Sequence, residues 1–145
     1  MSSQNFSDSC KVVQLIKPLT HGAGAISAAE IDTKGFRWAT IVVNVGATAD
    51  ASAALVITES NTSGSGHAAI TDGASVPAEF AAATVNAATD SVLIGELDLM
   101  HTARYIDATL TAGSATHLSA CVILSNAKST GDLITATPTF QILNR

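Results

Sequence analysis

Short runs of β-branched and aliphatic residues alternate along this chain with clusters of Gly, Ser, Asn and Asp, a pattern typical of short strands separated by turns. Residues 36–45 give the strongest strand signal, because they are β-branched and aromatic and are closed by Gly46. Residues 53–59 are the predicted hairpin partner, across the loop 46–52. Further strands are predicted at 11–17, 91–99, 103–111 and 117–124, with a short strand or turn at 26–31 and a possible last strand at 137–143.

Turn residues mark the ends of these predicted strands. Pro18 ends the first strand, and residues 20–25 form the loop after it. The Gly-, Ser- and Asn-rich stretches predict turns at 61–66 and 71–75 and a hairpin loop at 112–116, between the last two core strands. The clearest alternation precedes that loop, where one face of the strand carries Ile106, Ala108 and Leu110 and the other carries Tyr105, Asp107, Thr109 and Thr111.

One segment, residues 77–88, departs from the strand pattern. Ser75 could cap a helix there, Pro77 suits its first turn, and an alanine run follows. Only Phe80 and Val85 are large apolar residues, so the apolar stripe is weak. A short helix and an extended loop therefore both remain open for this segment.

Seven or eight short strands with turns at this spacing predict an all-β protein, an antiparallel β-sandwich of the jelly-roll type. We expect an N-terminal arm over residues 1–10, a sandwich domain over 11–125 and a C-terminal strand or arm over 126–145. The bulk of the core is expected from Trp38, Phe36 and the Ile, Leu and Val positions. Trp38 is expected to point inward, with Arg37 at a surface or an interface.

The composition adds a property that the strand pattern does not explain. Of the 145 residues, 47% are hydrophobic and only 13% are charged, whereas soluble proteins carry about 25% charged residues. The net charge of −5 argues against a nucleic-acid partner, and no apolar run reaches the about 18 residues needed to cross a membrane. We infer that much of the surface is covered in the working state of the protein.

Sequence motifs for catalysis or cofactor binding are missing, and the protein is expected not to be an enzyme. There is no nucleophile elbow, phosphate loop, dinucleotide fingerprint or zinc-protease motif, and the glycine-rich stretch 63–66 is expected to be a mobile hairpin tip. The four histidines do not lie at metal-ligand spacing; each lies in or beside a predicted loop and is expected to be solvent-exposed, and they are His21, His67, His101 and His117. We predict no catalytic residue, cofactor or metal.

Acidic residues suggest one patch worth testing. Glu96 and Asp98 share a strand face, and Asp107 on the following strand could join them in a carboxylate patch. A polar outer sheet face, paired with Arg104 or Lys34, is the favoured interpretation. The loops around Asp72 and Asp90 offer one carboxylate each, which is too few for a calcium site.

The two cysteines are far apart in the sequence. Cys10 and Cys121 could pair, but the first ten residues do not resemble a secretory signal, so reduced thiols are favoured. Cys121 lies in an apolar strand, where a thiol packs as a small hydrophobic group.

Two stretches resemble a family of small structural proteins of tailed bacteriophages, encoded beside the major capsid protein. Residues 35–46, GFRWATIVVNVG, followed by LVITES at 55–60, are similar to the family's strand and hairpin that end in a Thr-Glu-Ser motif. Residues 103–113, ARYIDATLTAG, leading into SACVIL at 119–124, resemble its Arg-Tyr strand and the strand after it. The resemblance covers residues 35–124.

The resemblance implies a capsid decoration, or cement, protein with a jelly-roll-like sandwich, often trimeric. The expected partners are the major capsid protein and further copies of the chain. The expected location is the capsid surface of a virion assembled in the host cytoplasm. The alternative function is a carbohydrate- or receptor-binding sandwich on a virion surface, although few aromatic side chains are available for stacking on sugars.

Overall fold

The structure, a computed structural model, describes residues 10–48, 53–72, 75, 77–125 and 140–143. This part of the chain forms short strands, one helix and one 3₁₀ turn at Leu99–His101. The helix α1 is Ala82–Ala87, and the strands are β1 Cys10–His21, β2 Gly24–Ile26, β3 Ile31–Asp32, β4 Trp38–Thr48, β5 Leu55–Ser60, β6 Ala68–Ala69, β7 Glu79–Phe80, β8 Ser91–Asp98, β9 Tyr105–Ala112, β10 Thr116–Ser125 and β11 Phe140–Leu143.

The strands form two antiparallel sheets, which confirms the all-β sandwich expected from the sequence. The first sheet has the order β1-β10-β4-β8-β11, and the second has the order β2-β9-β5-β6. Two short strands complete the second sheet, since β3 also pairs with β9 and β7 also pairs with β5. Within the described residues, β2 and β3 therefore act as one interrupted edge strand, and β6 and β7 as the other.

The core lies between the sheets and follows the two-residue period of the strands. On β9 the predicted inward residues Ile106, Ala108 and Leu110 are all buried, while Thr109 and Thr111 are exposed. On β4 the buried positions are Ala39, Ile41, Val43 and Val45. Regular alternation was the most reliable sequence signal because one side of each strand must leave water.

From β1 to β10 the chain crosses between the two sheets at every step except the one from β5 to β6/β7. With β2/β3 and β6/β7 each counted as one strand, β1, β4, β8 and β10 belong to the first sheet, and the strands between them belong to the second. These eight strands, four in each sheet, are the number that a jelly roll requires, and β11 is a ninth at the edge of the first sheet. The jelly-roll assignment stays our interpretation.

This alternation makes two predicted hairpins wrong. β5 does not pair with β4, because β4 lies between β10 and β8 in the first sheet, whereas β5 lies beside β9 in the second. Likewise, residues 112–116 connect β9 to β10 across the sandwich and do not close a hairpin. Turn residues show where a chain reverses, but they do not select the strand with which it then pairs.

The first strand is longer than expected. β1 continues past Pro18 to His21, so residues 20 and 21 are strand and not loop. Within the described sheet β1 pairs with β10 alone, and its register shifts between Ile16 and Leu19. An edge strand tolerates proline because one row of its backbone groups has no partner strand, and the bulge accommodates the ring.

The largest core residue is not the predicted one. Trp38 is half-buried and alternates with the inward positions of β4, so the prediction that it points inward is wrong. Phe36 is also half-buried and packs against the core edge. Phe80 on β7 is fully buried and is the largest of the fully buried side chains.

The ambiguous segment 77–88 contains both extended and helical structure. Residues Glu79–Phe80 form β7, and α1 begins only after Ala81, whose side chain cannot cap it. Ser75 is therefore not the helix cap. The turn at 71–75 is supported by a 2.9 Å bond from the Ser75 amide to the Asp72 carbonyl.

The last described strand adds to the edge of the first sheet. β11 pairs with β8 in antiparallel register, Phe140 opposite Leu97 and Leu143 opposite Ile94. The backbone of residues 140–143 thus forms a last strand. A strand and an arm were the two alternatives that the sequence left open for residues 126–145. Of the predicted arm over 1–10, Cys10 begins β1, and residues 1–9, like residues 126–139, lie outside the described residues.

Candidate interaction face

The outer side of the first sheet carries a continuous apolar surface. Outward positions of β1, β10, β4 and β8 alternate with the core positions of those strands. We call this surface the apolar face and define it by its six hydrophobic side chains, Val12, Val42, Val92, Ile94, Cys121 and Ile123. Val12 and Val92 are more than half exposed, and they belong to one patch with the other four side chains.

Strand register brings these residues into rows across the sheet. In the central row, Cys121 lies opposite Val42, and Val42 lies opposite Ile94. In the adjacent row, Val12 lies opposite Ile123, which lies opposite Thr40. The residues of each row come from strands distant in the sequence, so the face exists only in the folded sheet.

The apolar face carries very little charge. Its polar neighbours are mostly uncharged, namely Gln14, Thr40, Asn44 and Ser119. Glu96, opposite Thr40, is the one carboxylate among the outward positions of these rows that has no ion pair in the described structure. Covering such a surface avoids the large desolvation penalty of buried charges.

The outer side of the second sheet is different, because it is polar and acidic. Asp32 on β3, Glu79 on β7 and Asp107 on β9 all lie at outward positions. Thr109 is exposed beside them. The two outer surfaces of the sandwich therefore differ in polarity, and only that of the first sheet is suited to contact with another uncharged surface.

A buried ion pair lies at one end of the first sheet. Asp98 is 2% exposed, and its carboxylate accepts hydrogen bonds from Arg37 Nε at 3.0 Å and Arg37 Nη2 at 3.2 Å. The Met100 amide donates a further bond of 2.9 Å to Asp98 Oδ1. Arg37 thus joins the start of β4 to the end of β8, which corrects the expectation that Asp98 belongs to an open carboxylate patch.

Arginines cover the two aromatic rings that are candidates for ligand stacking. The Arg37 guanidinium lies 5.7 Å from the centre of the Trp38 ring, and that of Arg104 lies 5.0 Å from the Tyr105 ring. These are the single Trp and the single Tyr of the sequence. A sugar ring would have to displace a guanidinium to stack there, so the carbohydrate-binding alternative gains no support from these residues.

The Arg104 pair is solvent-exposed, unlike the Arg37 pair. Arg104 donates to both carboxylate oxygens of Asp32, at 2.9 and 2.7 Å. The Arg104 hydrogen bonds, followed by that of the Lys34 amide, lower the pKa of Asp32 to about 2. The predicted pairing of Arg104 or Lys34 with Glu96, Asp98 or Asp107 is therefore wrong, because Arg104 instead engages Asp32 on the neighbouring strand.

A second acidic residue, Glu30, fastens the turn 61–66. Its carboxylate accepts a 2.6 Å bond from Ser63 Oγ and a 2.7 Å bond from the Gly64 amide. His67 Nε2 lies 3.1 Å from the same carboxylate. The bonds from Ser63 and then Gly64 lower the pKa of Glu30 below its ordinary 4.5. The tip predicted to be mobile is therefore held by a carboxylate.

We expect Glu30→Ala to release the turn at 61–66. The Gly64 amide should exchange its hydrogen several-fold faster, since it loses its acceptor, and Glu79→Ala on the same sheet is the matched control. In the wild type the Gly64 amide shift should titrate below pH 4.5. The stabilisation by Glu30 is complete above about pH 4.5 and is lost as pH falls through the lowered pKa. An unchanged Gly64 amide in Glu30→Ala would refute this contact.

The histidines are distributed over three places. His21 lies in β1, so the expectation of a loop position is wrong for it, whereas His117 is exposed in β10, where the sequence predicts the start of a strand. The His21 Nε2–H donates to the carbonyls of Lys17 and Leu118, each at 3.1 Å, beside the bulge in β1. His101 is exposed at the end of the 3₁₀ turn.

The remaining sequence candidates do not meet. Asp107 lies in the second sheet and Glu96 in the first, so the predicted carboxylate patch does not form. Cys121 is opposite Gln14 and Cys10 is opposite Ser125, an offset of about 13 Å along the strands, and no disulfide joins the two thiols.

Within the described ranges, no group of three or more His, Cys, Asp or Glu side chains could hold a metal ion. No helix in those ranges is long and apolar enough to span a membrane. A shallow groove of about 330 Å³ lies beside the bulge of β1 and is lined by residues that include Pro18, Asn44 and His117. The groove borders the apolar face.

Comparison with protein-family models, curated proteins and solved structures found no match to this chain. The resemblance to phage structural proteins therefore rests on the strand motifs alone. The fold and the difference in polarity between its two outer surfaces are the remaining basis for a functional proposal.

Proposed function

We propose that this chain is a capsid decoration protein, a virion structural protein that binds the outer surface of a phage head. In this role it stabilises contacts between capsid subunits, and the major capsid protein is its partner. It acts as a homo-oligomer, with the trimer implied by the family resemblance as the first expectation. It is assembled in the host cytoplasm and remains on the capsid surface of the virion.

The apolar face is the observation that carries this proposal. The largest contiguous apolar patch on a soluble protein often marks a contact with a partner. Here one sheet exposes Val12 and Val92 beside uncharged neighbours, while the opposite sheet carries the acidic residues. Such a sandwich has one side suited to an assembly and one side suited to water.

Low charge also suits repetitive assembly on a shell. Ion pairs between subunits weaken as salt rises, whereas apolar contacts do not depend on the ionic atmosphere in that way. A protein that contacts its neighbours through uncharged side chains can therefore hold a shell together over a wide range of ionic strength. This accounts for a chain with only 13% charged residues.

Binding to bare heads tests the proposal. Heads purified without this chain should bind it in a saturable way when sedimented together, at a fixed ratio to the major capsid protein. Decorated heads should withstand a higher temperature before they release their contents. The controls are heads with buffer alone and heads with an unrelated acidic protein of similar size, and absence of saturable binding would refute the function.

A further inference from the structure

We propose that the apolar face packs against the same face of a second copy of the chain, related by a two-fold axis. This inference deepens the proposed function, since it names the partner that covers this face within the homo-oligomer. The two sandwiches would stack sheet on sheet, about 10 Å apart, as sheets do inside a β-sandwich. The acidic outer surface of each second sheet then stays exposed.

The area of the face approaches what a stable contact between two copies needs. Four strands about 4.8 Å apart and about eight residues long cover about 500 Å² in projection, and the accessible surface is larger because side chains rise above the sheet. A stable interface buries about 800 Å² on each partner. The apolar face with its polar neighbours supplies most of that area on one continuous surface.

The distribution of apolar surface favours a two-fold contact over a ring. A two-fold interface uses one patch twice, whereas a cyclic trimer joins two different patches that must complement each other. The first sheet offers the apolar patch, but the outer side of the second sheet carries Asp32, Glu79 and Asp107. The structure therefore favours a dimer where the family resemblance implies a trimer.

The rows of the face are compatible with self-packing. A two-fold axis along the central row of Cys121, Val42 and Ile94 places apolar side chains on their own counterparts. The row that contains Glu96 then lies over the row that contains Asn44 and Val92 in the second copy, so each Glu96 lies over Val92 of the other copy. The two Glu96 carboxylates stay apart, so like charges do not oppose the contact.

The mass of the isolated protein tests this inference. Sedimentation equilibrium of the wild type should give twice the chain mass of 14.7 kDa. Val92→Glu should weaken the dimer at least about tenfold, because each new carboxylate would lie against Glu96 of the second copy. Val92 is 55% exposed, so this variant should fold. The matched control Thr109→Glu, on the other sheet, should leave the mass unchanged.

A thiol measurement gives a second readout without a new charge. In a Cys10→Ser background Cys121 is the single cysteine, and it lies in the central row of the apolar face. Its reaction with a maleimide should be slow where the dimer predominates and should accelerate on dilution. Equal rates at all concentrations would overturn the inference.

The possible outcomes separate this inference from the proposed function. A monomeric wild type, a trimer, or a dimer that Val92→Glu leaves intact overturns the two-fold contact. If such a protein still binds bare heads in a saturable way, the decoration function stands and the apolar face has another occupant. A dimer that depends on Val92 but does not bind heads supports the contact and refutes the function.

Discussion

Among the aromatic residues whose burial the structure describes, Phe80→Ala is expected to be the most destabilising truncation. Phe80 is fully buried between the sheets, opposite Leu55 on β5. Truncating such a side chain typically costs about 3 to 5 kcal/mol, because apolar burial is lost and a cavity remains. In a chain of this length that loss lowers the melting temperature by about 10 °C.

Trp38→Ala is the informative control for Phe80, since the sequence suggested the opposite ranking. Trp38 is half-buried on the outer side of its strand, so its truncation should reduce the free energy of unfolding by less than half as much. The free energy of unfolding of both variants is measured by urea titration followed by circular dichroism, at one protein concentration for all variants. A larger loss for Trp38→Ala than for Phe80→Ala would contradict the core described here.

Arg37→Ala is expected to have the second large effect. The substitution leaves the Asp98 carboxylate, which is 2% exposed, without the guanidinium that donates two hydrogen bonds to it. Removing one partner of a buried ion pair costs about 3 kcal/mol, because the remaining charge is left in a poorly solvated site. Arg37→Lys should recover only part of the loss, since lysine cannot make the two-pronged contact.

The exposed pair of Arg104 and Asp32 provides the matched control for Arg37. Both pairs have two hydrogen bonds between a guanidinium and a carboxylate, but Arg104 and Asp32 are exposed. Arg104→Ala should therefore change stability much less than Arg37→Ala when both are measured by the same urea titration. Equal losses would show that burial of Asp98 does not determine the strength of its pair.

The parts of the fold that the sequence predicts are those governed by local alternation. β8, β9 and β10 begin and end within two residues of their predicted limits, and the buried set Ile106, Ala108 and Leu110 is confirmed. In these strands the side of each residue follows from its neighbours two positions away. The choice of partner strand does not follow from neighbours in the sequence, and for this reason both predicted hairpins were wrong.

Trp38 illustrates a different limit of sequence interpretation. Size and hydrophobicity suggested that it points inward, but its strand parity is that of Thr40 and Val42, which lie on the outer side. In addition, the Arg37 guanidinium lies over the Trp38 ring. Strand parity is a stronger constraint than side-chain type, since every residue of β4 must follow the same alternation.

The apolar face could be predicted only as a property of the composition. Low charge indicated that some surface is covered, but the rows that bring Val12 beside Ile123, and Val42 beside Ile94, depend on the register of strands far apart in the sequence. The Arg37–Asp98 pair was missed for the same reason, since 61 positions separate its members.

Sedimentation of this protein with bare phage heads tests the central claim most directly. Decoration predicts saturable binding at a fixed ratio to the major capsid protein, and heads that become more resistant to heat as the sites fill. Protein that remains in the supernatant at every concentration, with heads no more stable than in buffer alone, would contradict it.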